Sequence, residues 1–459
     1  MIKIFQNIDT FDKVRAHPLR KEFVEKLLID DLIKNSNMHV FSYKKEYYLF
    51  DYNTLIILHI DRNIHNGIKI IKSNSEVSSK TRKCLDELKP FFIAGLLSYG
   101  QVNDQIVIEN NLFETYNFYL SDNCNFICKY CARHMEYGNC TISNNVMQDF
   151  VIDKAIKMIF DNSKADIITI HFTGGEPLLY YNKINYCIRL SKEEAKKKEK
   201  RVRFSITTNG SIINNKIIEM ITDNKDSISI MISFDGPSKI HNKNRLMLDG
   251  GDTFVLIKRF IRELKLHGFK RFYLRPTVCV EDFGKVYKIL KYLSSFDAKG
   301  ILIQPEMIGI NDSFKRKSVM INKYNRQIKK YILTRKSIDD VPEKNKKIIN
   351  IIKNFDYRDF GCAAGYKMIT FSPEGNIFSC AWALTNPKYK IGDINNEKIS
   401  INSASLNNKQ EKCIKCIAKK ICAGGCVLDN ENDSYECSID RELVKTSLIY
   451  MVLEKDKEN

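Results

Sequence analysis

From about residue 114 to residue 305 the chain alternates short β-rich segments with segments of amphipathic helical spacing, and this restricts its possible architectures more than any other feature. The strand-like runs are 114–120, 166–172, 203–207, 227–233, 272–278 and 300–304. Helix-like runs lie between them at 147–159, 183–198, 213–221, 254–266 and 283–293. Six β-then-α units predict a parallel sheet, because strands joined through crossover helices run in one direction. The expected fold is α/β, a partial (β/α)6 TIM-like barrel, with its chemistry at the C-terminal ends of the strands.

The flanks differ from this pattern. Residues 38–60 alternate as two or three antiparallel strands and 79–97 as a helix pair, so 1–110 reads as a small α+β module. Residues 111–310 hold the barrel and 311–357 a Lys-rich helical bridge. Residues 358–459 form the last domain; from Gly361 to Cys437 it is cysteine-dense with weak periodicity, which leaves metal rather than apolar burial to hold that stretch together.

At 459 residues the chain is long for one core, and a hydrophobic content of 44% is enough to bury several. No stretch approaches the ~20 apolar residues of a membrane span, and residues 1–15 carry charges without an apolar signal core. A cytoplasmic chain with no membrane partner is expected. The net charge of +18 comes from lysines spread along the chain, and the run 192–203 reads as a solvated helix face, so no nucleic-acid partner is expected. Fourteen cysteines in such a compartment stay reduced and are better explained as metal ligands than as disulfides.

Three of them, Cys124, Cys128 and Cys131, fall just after the first strand. Three thiolates within eight residues can wrap a [4Fe–4S] cubane and leave its fourth iron without a protein ligand. A structural zinc site would want a fourth ligand, for which Cys140 and His134 are the nearby candidates. Three further motifs end the next strands: His171 to Pro177 (HFTGGEP), Thr207 to Gly210 (TTNG) and Ser233 to Pro237 (SFDGP), the last followed by Arg245.

With Tyr130 beside the third cysteine, this set resembles the radical S-adenosylmethionine (SAM) superfamily. The resemblance implies that Cys124, Cys128 and Cys131 hold the SAM-binding cluster, and that Gly174, Gly175 and Glu176 hold the methionine amino group. It also places Tyr130, Asn209, Ser233, Asp235 and Arg245 around the cofactor, with Ser233 and Arg245 at its ribose or carboxylate. The implied chemistry is one-electron cleavage of SAM to a 5′-deoxyadenosyl radical, with electrons from an external donor of flavodoxin or ferredoxin type.

Near the C-terminus Cys362, twelve residues, Gly375, four residues and Cys380 precede Cys413, Cys416, Cys422, Cys426 and Cys437. This spacing resembles the SPASM domain of peptide-modifying radical enzymes. It implies two auxiliary clusters, one on Cys413, Cys416, Cys422 and Cys437, the other on Cys362, Cys380 and Cys426 with an open iron. A pair of zinc ribbons is the competing reading, for which seven cysteines are an awkward number. Of the remaining four, Cys187 and Cys279 read as inert core thiols, while Cys84 and Cys140 carry no assigned role.

Members that oxidise a Cys or Ser of sulfatases to formylglycine carry a general-base Asp directly after the cysteine that ends the first SPASM segment. Here that position is Ala381. A closer resemblance is to maturases of ribosomally made cysteine-rich peptides, which form thioether cross-links. It implies a precursor peptide with a leader, gripped by a winged-helix-like N-terminal module through strand addition, with 46–50 as the test site. Epimerisation and carbon–carbon coupling would use the same cofactor site.

Overall fold

The computed structural model describes residues 2–6, 13–16, 18–100, 113–131, 145–306, 314–358, 361–396, 399, 413–426 and 435–458. The expected strands and helices are present with ends shifted by a few residues. In the N-terminal module β1 (Lys3–Ile4), β2 (Met38–Tyr43), β3 (Glu46–Asp51) and β4 (Ile57–Ile60) form an antiparallel sheet in the order β1-β4-β3-β2. Because β3 is paired on both sides, by β2 and β4, it offers no backbone edge to an added peptide strand. The expectation of docking at 46–50 is therefore corrected: the outer strand beside it is β2.

The barrel sheet is built from β5 (Thr115–Tyr119), β7 (Ile167–Thr173), β8 (Arg201–Thr208), β9 (Ile228–Ile232), β11 (Phe272–Leu274) and β13 (Gly300–Ile301). These six lie parallel and in sequence order. β6 (Phe126–Cys128) and β10 (Arg245–Met247) form a separate antiparallel ribbon at its rim. Two strands expected to be continuous are broken. A second parallel pair, β12 (Thr277–Cys279) with β14 (Gln304–Glu306), continues beyond β11 and β13. The first break falls at Pro276, which has no N–H to give the ladder.

Side-chain parity divides the sheet. Ile168, Ile170, Phe172, Phe204, Ile206, Ile228, Ile230, Ile232 and Leu274 are fully buried, each contributing about 1.5–3 kcal/mol. The alternate residues, among them Thr169, His171, Ser205, Thr207, Ser229, Ser233 and Arg275, are partly exposed and line the other face.

The cysteine-dense region is not held by metal ligation alone. β15 (Met368–Phe371) runs parallel to β5, and β16 (Asn376–Phe378) and β17 (Lys390–Asp393) follow antiparallel, so the sheet reaches nine strands. The helix Tyr435–Glu458, absent from the expectations, packs on Phe314–Leu333 and Glu343–Asn354. It buries Ile439, Leu443, Val444, Leu448, Met451 and Val452. Apolar burial therefore anchors both ends of this region. Among the described residues, no helix is long and apolar enough to cross a membrane.

Candidate active site at the strand ends

The exits of β5, β7, β8 and β9 bring the four motifs to one rim. Gly174 has φ +129°, and a Cβ there would lie 2.5 Å from the Ser121 carbonyl oxygen. Only glycine lets the exit of β7 lie this close to that of β5. The contact is closed by Gly175 N–H donating to Ser121 O and Glu176 N–H to Asn123 O, both at 2.8 Å. The turn is thereby fastened to the loop that carries the cysteines.

The Glu176 carboxylate turns inward instead of toward the rim. It is 1% exposed and accepts from Thr208 Oγ1 at 2.7 Å, Asn209 N at 2.6 Å and Leu178 N at 3.0 Å. Burial pushes its pKa up to about 7 even against these donors. Its direct work is to tie the β7 turn to the β8 exit. The Asn209 amide in turn donates to Asn125 Oδ1 at 2.9 Å and lies 3.9 Å from Cys124 Sγ.

Asp235 is the hub of the other half. Fully buried, it accepts from the Tyr130 hydroxyl at 2.5 Å, Arg245 Nε at 3.1 Å and the Thr277 amide at 2.9 Å. The Arg245 guanidinium stands 5.2 Å over the Tyr130 ring and reaches Cys128 Sγ at 3.8 Å. Burial opposes the charge on Arg245, but the Asp235 carboxylate outweighs it and holds the proton more tightly than usual. β6 and β10 set this contact, since Cys128 and Arg245 face each other in their register. Ser233 is partly buried, and its N–H donates to Thr208 O at 2.9 Å.

Cys124, Cys128 and Cys131 are partly buried free thiols. Donors aimed at the sulfurs of Cys124 and Cys128 suit thiolates that carry the negative charge of an iron–sulfur cluster, so these residues fit that group. Among the described residues, no three Cys, His, Asp or Glu side chains converge on a single ion; a cubane spaces its thiolates across its corners.

The C-terminal cysteines gather in two neighbourhoods. Burial pushes Cys380 up to about 11, and Cys362 and Cys426 act on it as the neighbouring thiols. Cys416 and Cys422 are each raised by burial and both feel Cys437. The two segments meet where a Cβ on Gly361 would lie 2.5 Å from the Gly425 nitrogen. Arg358 clamps the junction, donating to Ile421 O at 3.2 Å and Gly361 O at 2.7 Å. Cys187 and Cys279 are buried, Cys84 is partly buried, and Cys140 and His134 lie outside the described residues.

His171 faces the polar side of the sheet and meets Thr207 Oγ1 at 3.2 Å. Burial first, and then the charge of Arg275, lowers its pKa to about 4. Arg275 escaped the sequence reading; its signal is an arginine at the Tyr273, Arg275, Thr277 parity of a strand otherwise made for burial.

Residues 118–293 match the model of the radical SAM superfamily. The cysteine-type anaerobic sulfatase-maturating enzyme of Clostridium perfringens (strain 13 / Type A) is 25% identical over 357 residues, 68% of this chain and 89% of that enzyme. The antilisterial bacteriocin subtilosin biosynthesis protein AlbA of Bacillus subtilis (strain 168) is 25% identical over 337 residues, 69% of this chain and 68% of AlbA. Among solved structures, native anSMEcpe with bound AdoMet and Cp18Cys peptide superposes with a TM-score of 0.61 at 20% identity. The match covers 75% of this chain and 99% of that one, a likeness of fold.

Proposed function

Starting from the radical SAM domain that this chain carries in residues 118–293, we propose that it modifies a ribosomally made precursor peptide and joins a cysteine sulfur to a carbon as a thioether. The observation that carries this reading is the convergence of four strand-end motifs on one rim, with Arg245 and Asn209 directed at the cysteine sulfurs. Cys124, Cys128 and Cys131 would hold the [4Fe–4S] cluster. The Gly174 and Gly175 backbone, Asn209, Ser233 and Arg245 would surround SAM, while Glu176, Asp235 and Tyr130 hold those groups in place. When bound, cluster and SAM supply a carbon-centred 5′-deoxyadenosyl radical.

The protein's own part is to aim and to shield. Asp235 keeps the Arg245 fork oriented toward Cys128, so the guanidinium neutralises negative charge there without reorganising. The buried outer face of the sheet seals the barrel from the helix side, leaving the polar inner face for the substrate. Cys413, Cys416, Cys422 and Cys437 would close one auxiliary cluster, and Cys362, Cys380 and Cys426 would hold a second with one iron free for a substrate thiol. An electron donor of flavodoxin or ferredoxin type and a leader-bearing peptide complete the reaction; the outer edge of β2, unpaired by any strand among the described residues, suits a leader added as a strand.

A second reading, oxidation of a sulfatase residue to formylglycine, is favoured by the relationship to the Clostridium enzymes. Against it, Ala381 next to Cys380 supplies no carboxylate base. The test is co-expression with a short cysteine-rich reading frame encoded beside the gene. A loss of two hydrogens per modification, with a thioether located by fragmentation, supports the proposal. Formylglycine in a co-expressed sulfatase, or an unchanged peptide mass, replaces it.

A further inference from the structure

The inner face of the barrel is unusual in what fills it. Alongside Met231 and Tyr273, β7, β8 and β9 turn short or polar side chains to this face (Thr169, His171, Ser205, Thr207, Ser229, Ser233), whereas a closed barrel of this family of architectures packs its interior with bulky branched residues. Such a lining neither fills the space nor repels a polar ligand. At the strand exits the fold adds a cation to this face, Arg275, just after β11, whereas the exposed Arg203 of the same parity lies beside Thr169, nearer the start of β8. The Arg275 N–H donates to Ile232 O at 2.8 Å, and the β9–β11 register sets it directly beside Ser233.

The charges around it are otherwise matched. Arg245 is paired with Asp235, Lys129 with Glu281, Lys243 with Glu281 and Asp282, and Lys285 with Asp282. The Arg275 guanidinium has no ion-pair or hydrogen-bond partner among the described residues. Burial and then the positive charge of Arg245 disfavour its proton, and its own charge is felt by His171 on β7, across the sheet from β11. A partly buried cation beside a second cation is costly until something brings negative charge to it.

We propose that Arg275 recognises a carboxylate of the peptide substrate, so that the substrate carries an acidic side chain, or its C-terminus, close to the residue attacked. This rests on reading the polar face as the place where peptide meets radical. A guanidinium presents two parallel N–H donors that match a carboxylate and distinguish it from an amide. SAM also carries a carboxylate. Arg275 stands beside Ser233 and feels Arg245, but it lies one strand beyond Ser233, on the side away from Cys124 and Asn209, and the SAM KM is the readout that separates the two carboxylates.

The test uses the reconstituted holoenzyme with SAM and dithionite. Its probes are two synthetic peptides, acetyl-Gly-Cys-Glu-Gly-amide and the counterpart with Gln for Glu. The concentration of each that half-changes the rate of 5′-deoxyadenosine formation is measured, together with the KM for SAM. The wild-type enzyme should respond to the acidic probe at about tenfold lower concentration than to the neutral one. Arg275→Gln should erase that preference and Arg275→Lys retain part of it, with the loss on the peptide response and not on the SAM KM. The proposal is overturned if wild type responds to neither probe up to about 10 mM or does not discriminate between them. It is also overturned if the preference survives in Arg275→Gln, or if the loss falls on the SAM KM, which would assign the guanidinium to the cofactor. Failure of the wild-type holoenzyme to form 5′-deoxyadenosine at all would instead defeat the SAM-cleaving reading beneath it.

Discussion

Replacing Asp235 by Asn tests whether the hub at the β9 exit is the element that holds the site together. Asp235 is fully buried and the Arg245 side chain is 8% exposed, so the substitution keeps the shape but leaves a desolvated guanidinium without its counter-charge. Removing one partner of a buried pair costs about 3–5 kcal/mol, much of it the unpaired charge that remains. Arg245→Met should cost a similar amount for the mirror-image reason. The double variant, in which neither charge is stranded, should fall short of the sum by about 2–3 kcal/mol. Global melting of a chain this long need not be two-state, so the assay is hydrogen–deuterium exchange of apo-protein peptides covering 228–247 and 272–279. A local cost of about 3 kcal/mol raises the opening constant by somewhat more than a hundredfold. Purely additive effects, or less than about a tenfold change in Asp235→Asn, would mean that solvent screens the pair and that the triad does not organise the site.

Glu176 gives a pH signature. Its folded pKa, about 7, lies above the ordinary 4.5, so the folded state keeps a proton that the unfolded chain releases. Its contribution to stability should therefore decline by up to about 3 kcal/mol as pH rises from 4.5 to 7 and stay flat above, and Glu176→Gln should flatten that slope in denaturation at pH 5 and 8. At Gly174, Ala adds to about 1–3 kcal/mol of backbone strain a clash with Ser121 O, whereas Gly250→Ala meets strain with nothing within 4 Å. The first should abolish 5′-deoxyadenosine formation and the second spare it. Anaerobic reconstitution should load about twelve irons per chain; Cys124→Ala should remove about four and SAM cleavage with them, and Cys416→Ala about four with cleavage retained. Four irons plus zinc in the wild type would exclude the auxiliary clusters. Arg358→Met should loosen iron held by the C-terminal cysteines while leaving the Cys124 cluster loaded, read as iron content after gel filtration.

Much of the barrel and its rim is written locally. Strand and helix periods, the glycines that permit the β7 turn, and cysteines three and four residues apart act within one turn or one strand, so they can be read from neighbours in the chain. Pro276, which breaks a strand expected to be continuous, was equally visible and is explained by its missing N–H. Contacts between distant segments were not legible in this way. β15 joins β5 by pairing Phe371 with Phe118, and Tyr130 meets Asp235 across 105 positions; no local period encodes either. The helix Tyr435–Glu458 was missed although Ile439, Leu443 and Leu448 lie on its buried side, because cysteine spacing dominated that region. Which side of each strand becomes the polar interior is also a tertiary outcome. Alternation separates two faces, but only closure of the sheet against its helices decides that the face bearing His171, Ser233 and Arg275 is the one left for a ligand.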